Sequence, residues 1–260
     1  MKSISSKLTV AIAALGSLLM FAWPLLIGAE DSITKSVNQA HLAQSIFIIL
    51  MPLMIVVVLV EFSSGQITAR QLAVLGVLTA LNAVVRLAGA GTSGIETAFF
   101  LIILGAYVFG AGFGFLLASG SILVSALISG GVGPWLPFQM MAAGLVAIGA
   151  AVLPHPKKSW VQRVVLIAYA VVAAFVYGGL MTLWNWPFLA GVGTSVSYVA
   201  GAGLLENLRR FFSYELLTGG LIWDAGRAIT TSLLLLLTAP ALLATLNRAA
   251  NRAGFEKRGR

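Results

Sequence analysis

The sequence predicts an all-α, polytopic integral membrane bundle, and three observations carry that prediction. The 260-residue chain is 59% hydrophobic and only 9% charged. Apolar runs of membrane-crossing length recur along it. Its basic residues are distributed unevenly between the connections. A soluble domain of this size cannot hide so much apolar surface, so its solvent is largely lipid. The mean hydropathy of +0.99 says the same. A spanning helix needs about 20 mostly apolar residues. The runs lie near 8–28, 42–61, 70–88, 95–110, 112–130, 135–153, 162–184 and 226–247, which makes eight candidate helices.

The first run follows MKSISSK and resembles a signal peptide with Ala29 as its cleavage point. At about 20 residues it exceeds the usual signal core of roughly 7–15, which favours a retained helix. The fourth and fifth runs share the joint Phe109-Gly110-Ala111-Gly112-Phe113-Gly114 and could equally form one long tilted helix. The sixth follows GGVGPWLPFQ, where Gly130, Gly131 and Gly133 allow backbone that a side chain would forbid. Pro134 there suits a first helical turn, where a missing N–H costs nothing. The connection 185–225 is the longest, and it is far from fully polar.

With both ends in the cytoplasm, Lys2, Lys7, Arg70, Lys157, Lys158, Arg163, Arg248, Arg252, Lys257, Arg258 and Arg260 fall inside. Lys35, Arg86, Arg209, Arg210 and Arg227 fall outside. That bias is the positive-inside pattern. The terminal stretch NRAANRAGFEKRGR reads as an anchor against anionic lipid rather than a nucleic-acid site.

On this threading, polar chemistry collects at the outer end. Asn82 and Arg86 are four apart on one helix face. Glu96 ends the loop GAGTSGIE, and a carboxylate there also suits a helix start. Trp135 and Gln139 flank the broken turn, and Trp184-Asn185-Trp186-Pro187 closes the seventh run. Asp224 and Arg227 open the eighth and are spaced to pair. Tryptophans at a membrane boundary are also ordinary belt residues. Taken together, however, charges near apolar depth face a partner or a cavity. An outer cavity lined by indoles, amides and charges suits a polar, partly aromatic solute.

Other classes find less support. His41 and His155 fall on opposite sides, and no catalytic or metal constellation is visible. No Lys follows a Gly, so there is no phosphate-binding loop. Few ionisable residues lie deep in the spans, so a coupling relay is missing. A membrane enzyme acting on a lipid or polyprenyl substrate, and a self-sufficient channel or secondary carrier, are the alternatives. Two stripes of small residues stand out. One is Ala69, Ala73, Gly76 and Ala80; the other is Gly114, Ala118, Ser121, Ser125 and Ser129. Small residues let helices approach closely in lipid, inside a bundle or against another subunit.

The stretch ARQLAVLGVLTALNAVVRLAGAGTSGIETAFFLIILGAYVFGAGFGF and the later SALISGGVGPWLPFQMMAAG resemble the substrate-binding S component of energy-coupling-factor (ECF) vitamin transporters. YGGLMTLWNWPF and GLIWDAGRAITTSLLLLL are similar to the actinobacterial branch of that family, and the likeness covers roughly 42–255. The resemblance implies two N-terminal helices over 1–66, a six-helix core over 67–248 and a basic tail over 249–260. It implies capture of a water-soluble vitamin and docking on a T component driven by two ATP-binding cassette subunits. It assigns docking to Ala69 and Ala73, extended by Gly76 and Ala80. The expected ligand contacts are Asn82, Arg86, Glu96, Trp135, Gln139 and Asn185, then Asp224 and Arg227, with no cofactor. The two N-terminal helices depart from the six-helix plan. The outer aromatics suit a corrinoid or flavin as well as a membrane belt.

Overall fold

The computed structural model describes residues 2–26, 67–89, 94–133, 135–190, 193–199 and 202–255. Among them the ordered elements are helices, with no strand: α1 (Lys2–Phe21), α2 (Trp23–Leu26), α3 (Ala69–Gly89), α4 (Phe99–Phe109), α5 (Ala111–Ser129), α6 (Leu136–Ala151), α7 (Ser159–Leu189), α8 (Leu204–Thr218) and α9 (Gly220–Ala253). Four of these, α3, α5, α7 and α9, are long and apolar enough to cross a membrane; α4 and α6 are shorter apolar helices. The expected second helix, 42–61, lies outside the described residues. So do Ala29, His41 and Pro134.

Residues 95–130 form two helices, not one tilted span. Gly110 adopts φ 101° between α4 and α5, a conformation that disfavours any residue with a Cβ. The chain folds back there. A Cβ on Gly114 would strike Ala106 and crowd Ala147, so the hairpin closes without a gap and rests on α6. All eleven residues of α4 are buried. A helix apolar all round belongs in the middle of a bundle, and α4 is the central one here, packed on α5, α6 and α9.

The hairpin has unequal arms. At 1.5 Å per residue, α4 is about 16 Å long and α5 about 28 Å. From their shared turn, α4 stops roughly 12 Å short of the far end of α5. Irregular backbone at that depth must be buried in protein or line a cavity. Segment 94–98 fills the space. Thr97 Oγ1 donates to the Val85 carbonyl, and Gly94 (φ 80°) lies against the backbone of Trp223, where a Cβ would not fit.

Two expectations about the later chain change. The seventh helix does not close at Trp184–Pro187 but continues to Leu189. Pro187 removes one ladder bond near the end, which the last turn tolerates. The connection 185–225 contains α8, an amphipathic helix that was not foreseen. Its buried face is Asn207, Phe211, Tyr214 and Glu215. That face rests on a second small core built around Trp186, which is fully buried and donates Nε1–H to the Val196 carbonyl at 2.9 Å. Trp186 is therefore a packing residue and not a belt residue. Asn207 bonds both backbone groups of Val199, at 3.1 and 2.9 Å, tying the 193–199 loop to α8. The last helix runs through Ala253 and takes in the first residues of the expected tail.

The threading puts the C-terminal ends of α3, α5 and α7 beside the N-terminal ends of α4, α6 and α9. Phe21 at the end of α1 meets Phe138 near the start of α6 (5.5 Å), and Phe138 stacks on Trp184 at 3.9 Å. The starts of α1 and α3 and the end of α9 thus lie at the opposite end of the bundle.

Candidate functional site

Four of the expected residues, Arg86, Glu96, Asp224 and Arg227, come together around Tyr177 above the start of α4. Asn82 and Arg86 point inward from α3, while Leu81 and Val84 on the same helix are exposed. Arg86 does not snorkel outward. Its Nη1 donates to Ser125 Oγ on α5 at 2.9 Å. Asp224 and Arg227 form the expected i, i+3 ion pair on α9. Arg227 also donates to the Ala174 carbonyl at 3.2 Å. Its guanidinium lies over the rings of Tyr177 (4.8 Å) and Phe99 (5.9 Å). Gly178 makes room for the Asp224 carboxylate, since a Cβ there would collide with it. Arg86, Glu96, Asp224 and Arg227 all lie close enough to act electrostatically on the Tyr177 hydroxyl. Glu96 Oε1 accepts the Ala98 backbone N–H at 3.2 Å, the helix-start role open to it from sequence.

Burial gives this cluster its chemical character. A charge at apolar depth is stabilised only by partners. Asp224 and Arg227 have each other. Asn82 does not: it is 0% exposed, and neither amide atom has a hydrogen-bond partner among the described residues. An orphaned buried amide costs about 1–3 kcal/mol.

Glu215, which the sequence does not single out, belongs to the same group. It is 3% exposed, and its carboxylate approaches the Thr182 side chain without closing a well-formed hydrogen bond. The carboxylate lies against Gly220, with Thr182, Asp224 and Arg227 as its polar surroundings. It sits on α8, outside the spanning helices. Burial raises its pKa above the ordinary carboxylate value; Thr182 offsets part of that rise, and the opposed charges of Asp224 and Arg227 act on it less. The available signal was the spacing of Asn207, Phe211, Tyr214 and Glu215 at i, i+4, i+7 and i+8, the period of one helix face.

The remaining expected residues stand apart. Trp135 is 46% exposed and folds back on its own turn, with Nε1 donating to the Gly131 carbonyl at 3.3 Å and the ring lying against Gly133. None of its contacts reaches the charged cluster. Pro137 occupies the first turn of α6. Gln139 and Asn185 are half-buried, and their side chains make no hydrogen bond among the described residues. They frame the Phe138–Trp184 stack from α6 and α7 at the same end of the bundle. Of the covering loop, residues 90–93 lie outside the described residues.

The two stripes of small residues separate, except that Ser129 at the end of the second is exposed. Gly114, Ala118, Ser121 and Ser125 are buried inside the bundle. Ala69, Ala73, Gly76 and Ala80 all lie on an exposed face of α3.

Neither a curated protein nor a solved structure matches this chain. A family model does: "ECF transporter, substrate-specific component" matches residues 70–239. That span runs from the first turn of α3 deep into α9. It takes in the hairpin, the charged cluster and the α8 cap, well over half of the chain. The bundle with its buried charges therefore belongs to the ECF transporter substrate-specific component family, a family of membrane-embedded, substrate-binding transporter subunits and not of enzymes.

Proposed function

We propose that this subunit captures a small water-soluble micronutrient of the vitamin class above the short helix α4. Import would then be driven by a T component and two ATP-binding cassette subunits. The observation that carries this reading is a group of buried polar side chains at one end of the bundle: the Glu215 carboxylate beside the Asp224–Arg227 pair, and Asn82, whose amide has no hydrogen-bond partner among the described residues. A bound solute with donors and acceptors would satisfy them. Arg86 and Glu96 supply charge at the rim, and Gln139 and Asn185 supply free amide groups. Trp135 contributes at the edge of the entrance. Glu215 joins this set as a ligand-reading group.

The exposed stripe Ala69, Ala73, Gly76 and Ala80 supports a docking role, because nothing in the described bundle uses it. The organisation that goes with this reading is a pair of N-terminal helices over 1–66, the six-helix core over 67–248 and a basic tail over 249–260. Both termini are cytoplasmic and the membrane is the plasma membrane.

The test is a titration of the purified protein's tryptophan fluorescence with a panel of vitamins and precursors, including corrinoids, flavins, thiamine and deazapurines, with inner-filter controls. Saturable quenching by one compound, weakened about tenfold or more in Gln139→Ala or Glu215→Gln, is the expected result. Silence across the panel in folded protein would end the vitamin reading. Uptake by the lone protein in liposomes would favour a self-sufficient carrier.

A further inference from the structure

The end of the bundle opposite the charged cluster carries a cavity of about 650 Å³ between α3 and α9. Its lining is Arg70, Ala73 and Val74 from α3, and Thr245, Arg248, Ala249, Arg252 and Ala253 from α9. Both sets repeat at three and four residues, so each is one face of its helix. The floor is apolar and the rim carries three guanidinium groups. Among the described residues no carboxylate lines the groove. None of the three arginines has an ion pair among the described residues, and the one polar partner recorded for them is Thr245 Oγ1, 3.3 Å from Arg248 Nη2. Three like charges around one groove repel each other unless an anion sits between them.

We infer that this groove binds the headgroup of an anionic phospholipid. The phosphodiester would take hydrogen bonds from Arg70, Arg248 and Arg252. The apolar floor of Ala73, Val74, Ala249 and Ala253 would take the start of an acyl chain. Guanidinium matches phosphate oxygens in pairs, which a point charge does not. Basic pockets between membrane helices at the positively biased face are suited to such headgroups. A diffuse basic tail would attract anionic lipid without holding it, whereas two helices that present arginines to one volume make a site. Ala73 belongs both to this floor and to the exposed small stripe. On the transport reading, the bound lipid therefore borders the docking face.

The experiment is native mass spectrometry of the full chain in detergent, supplied with phosphatidylglycerol or phosphatidylcholine. No vitamin and no partner subunit is present, so its failure says nothing against the transport reading. The expected result is retention of one phosphatidylglycerol but not phosphatidylcholine. Retention should fall about fivefold in Arg248→Gln and further in Arg70→Gln/Arg248→Gln/Arg252→Gln. Thermal melting of each variant checks that it is folded. Equal retention of the two lipids would overturn the proposal, as would phosphatidylglycerol retention unchanged in the triple variant. Displacement by excess inorganic phosphate would also overturn it, by showing a site for free anions. Should the triple variant fail to fold, Arg252→Gln alone must still weaken retention, and its failure to do so would sink the site.

Discussion

The small-residue stripes of α3 and α5 read alike in sequence and do opposite work in the structure. On α5, Gly114, Ala118, Ser121 and Ser125 are buried and let α4 and α6 approach closely. On α3, Ala69, Ala73, Gly76 and Ala80 face outward, and a Cβ on Gly76 would meet nothing within 4 Å. Close spacing of small residues therefore marks a surface that can be approached, and says nothing about what approaches it. On α5 the partner is the same chain. On α3 it is left for lipid or another subunit.

That contrast can be tested with one substitution made in both stripes. Gly114→Ala should destabilise the protein by about 1–3 kcal/mol, because the new methyl meets Ala106 on a helix that has no room to move. The measurement is denaturation in detergent micelles, and an unchanged midpoint would show that the hairpin is looser than it looks. Ser125→Ala removes the hydroxyl that holds Arg86. A loss of about 1 kcal/mol is expected in the same assay. No loss would mean that Arg86 finds another partner and the stripe serves packing alone.

Gly76→Ala should do the reverse. It adds helix propensity in open space and should stabilise by about 0.5–1 kcal/mol. Destabilisation there would place something against α3. Ala73→Leu should change stability by no more than about 0.5 kcal/mol. It should nonetheless reduce co-purification with the T component, and full assembly with Leu at 73 would remove this face from docking.

The smallest expected effect concerns the cap. The Glu215 carboxyl is raised above its ordinary pKa by burial. The folded state therefore holds that proton more tightly than the unfolded chain does. The stabilising contribution is fully present below the ordinary carboxylate range and is lost as pH rises through the raised value. Thermal stability of the wild type should decline across that window, and Glu215→Gln should flatten the decline. Parallel profiles would mean that Glu215 is solvated.

Much of the charged cluster was legible in the sequence. Asn82 with Arg86, and Asp224 with Arg227, are pairs at helical spacing, and spacing alone puts each pair on one face. Alternation of spans then brings their ends together. Glu215 and Trp186 were not legible, because the segment holding them is neither apolar enough to read as a span nor polar enough to read as a loop. The pose of Trp135 was not legible for a related reason. An indole beside a glycine turn can line an entrance or cover the turn, and only the backbone path of Gly131–Gly133 decides that it covers the turn here.

The sequence by itself determined that the chain is a helical membrane protein, where most of its described apolar helices lie, and which residues are spaced to share a helix face. Those properties follow from the length and composition of apolar runs, which lipid selects locally. The tertiary structure decided that residues 99–129 form an uneven hairpin rather than one helix, which small stripe is buried, and that Arg70 shares one groove with the distant Arg248 and Arg252. Each of these depends on how far one helix extends beside another. That is set by packing between segments, which no single segment encodes.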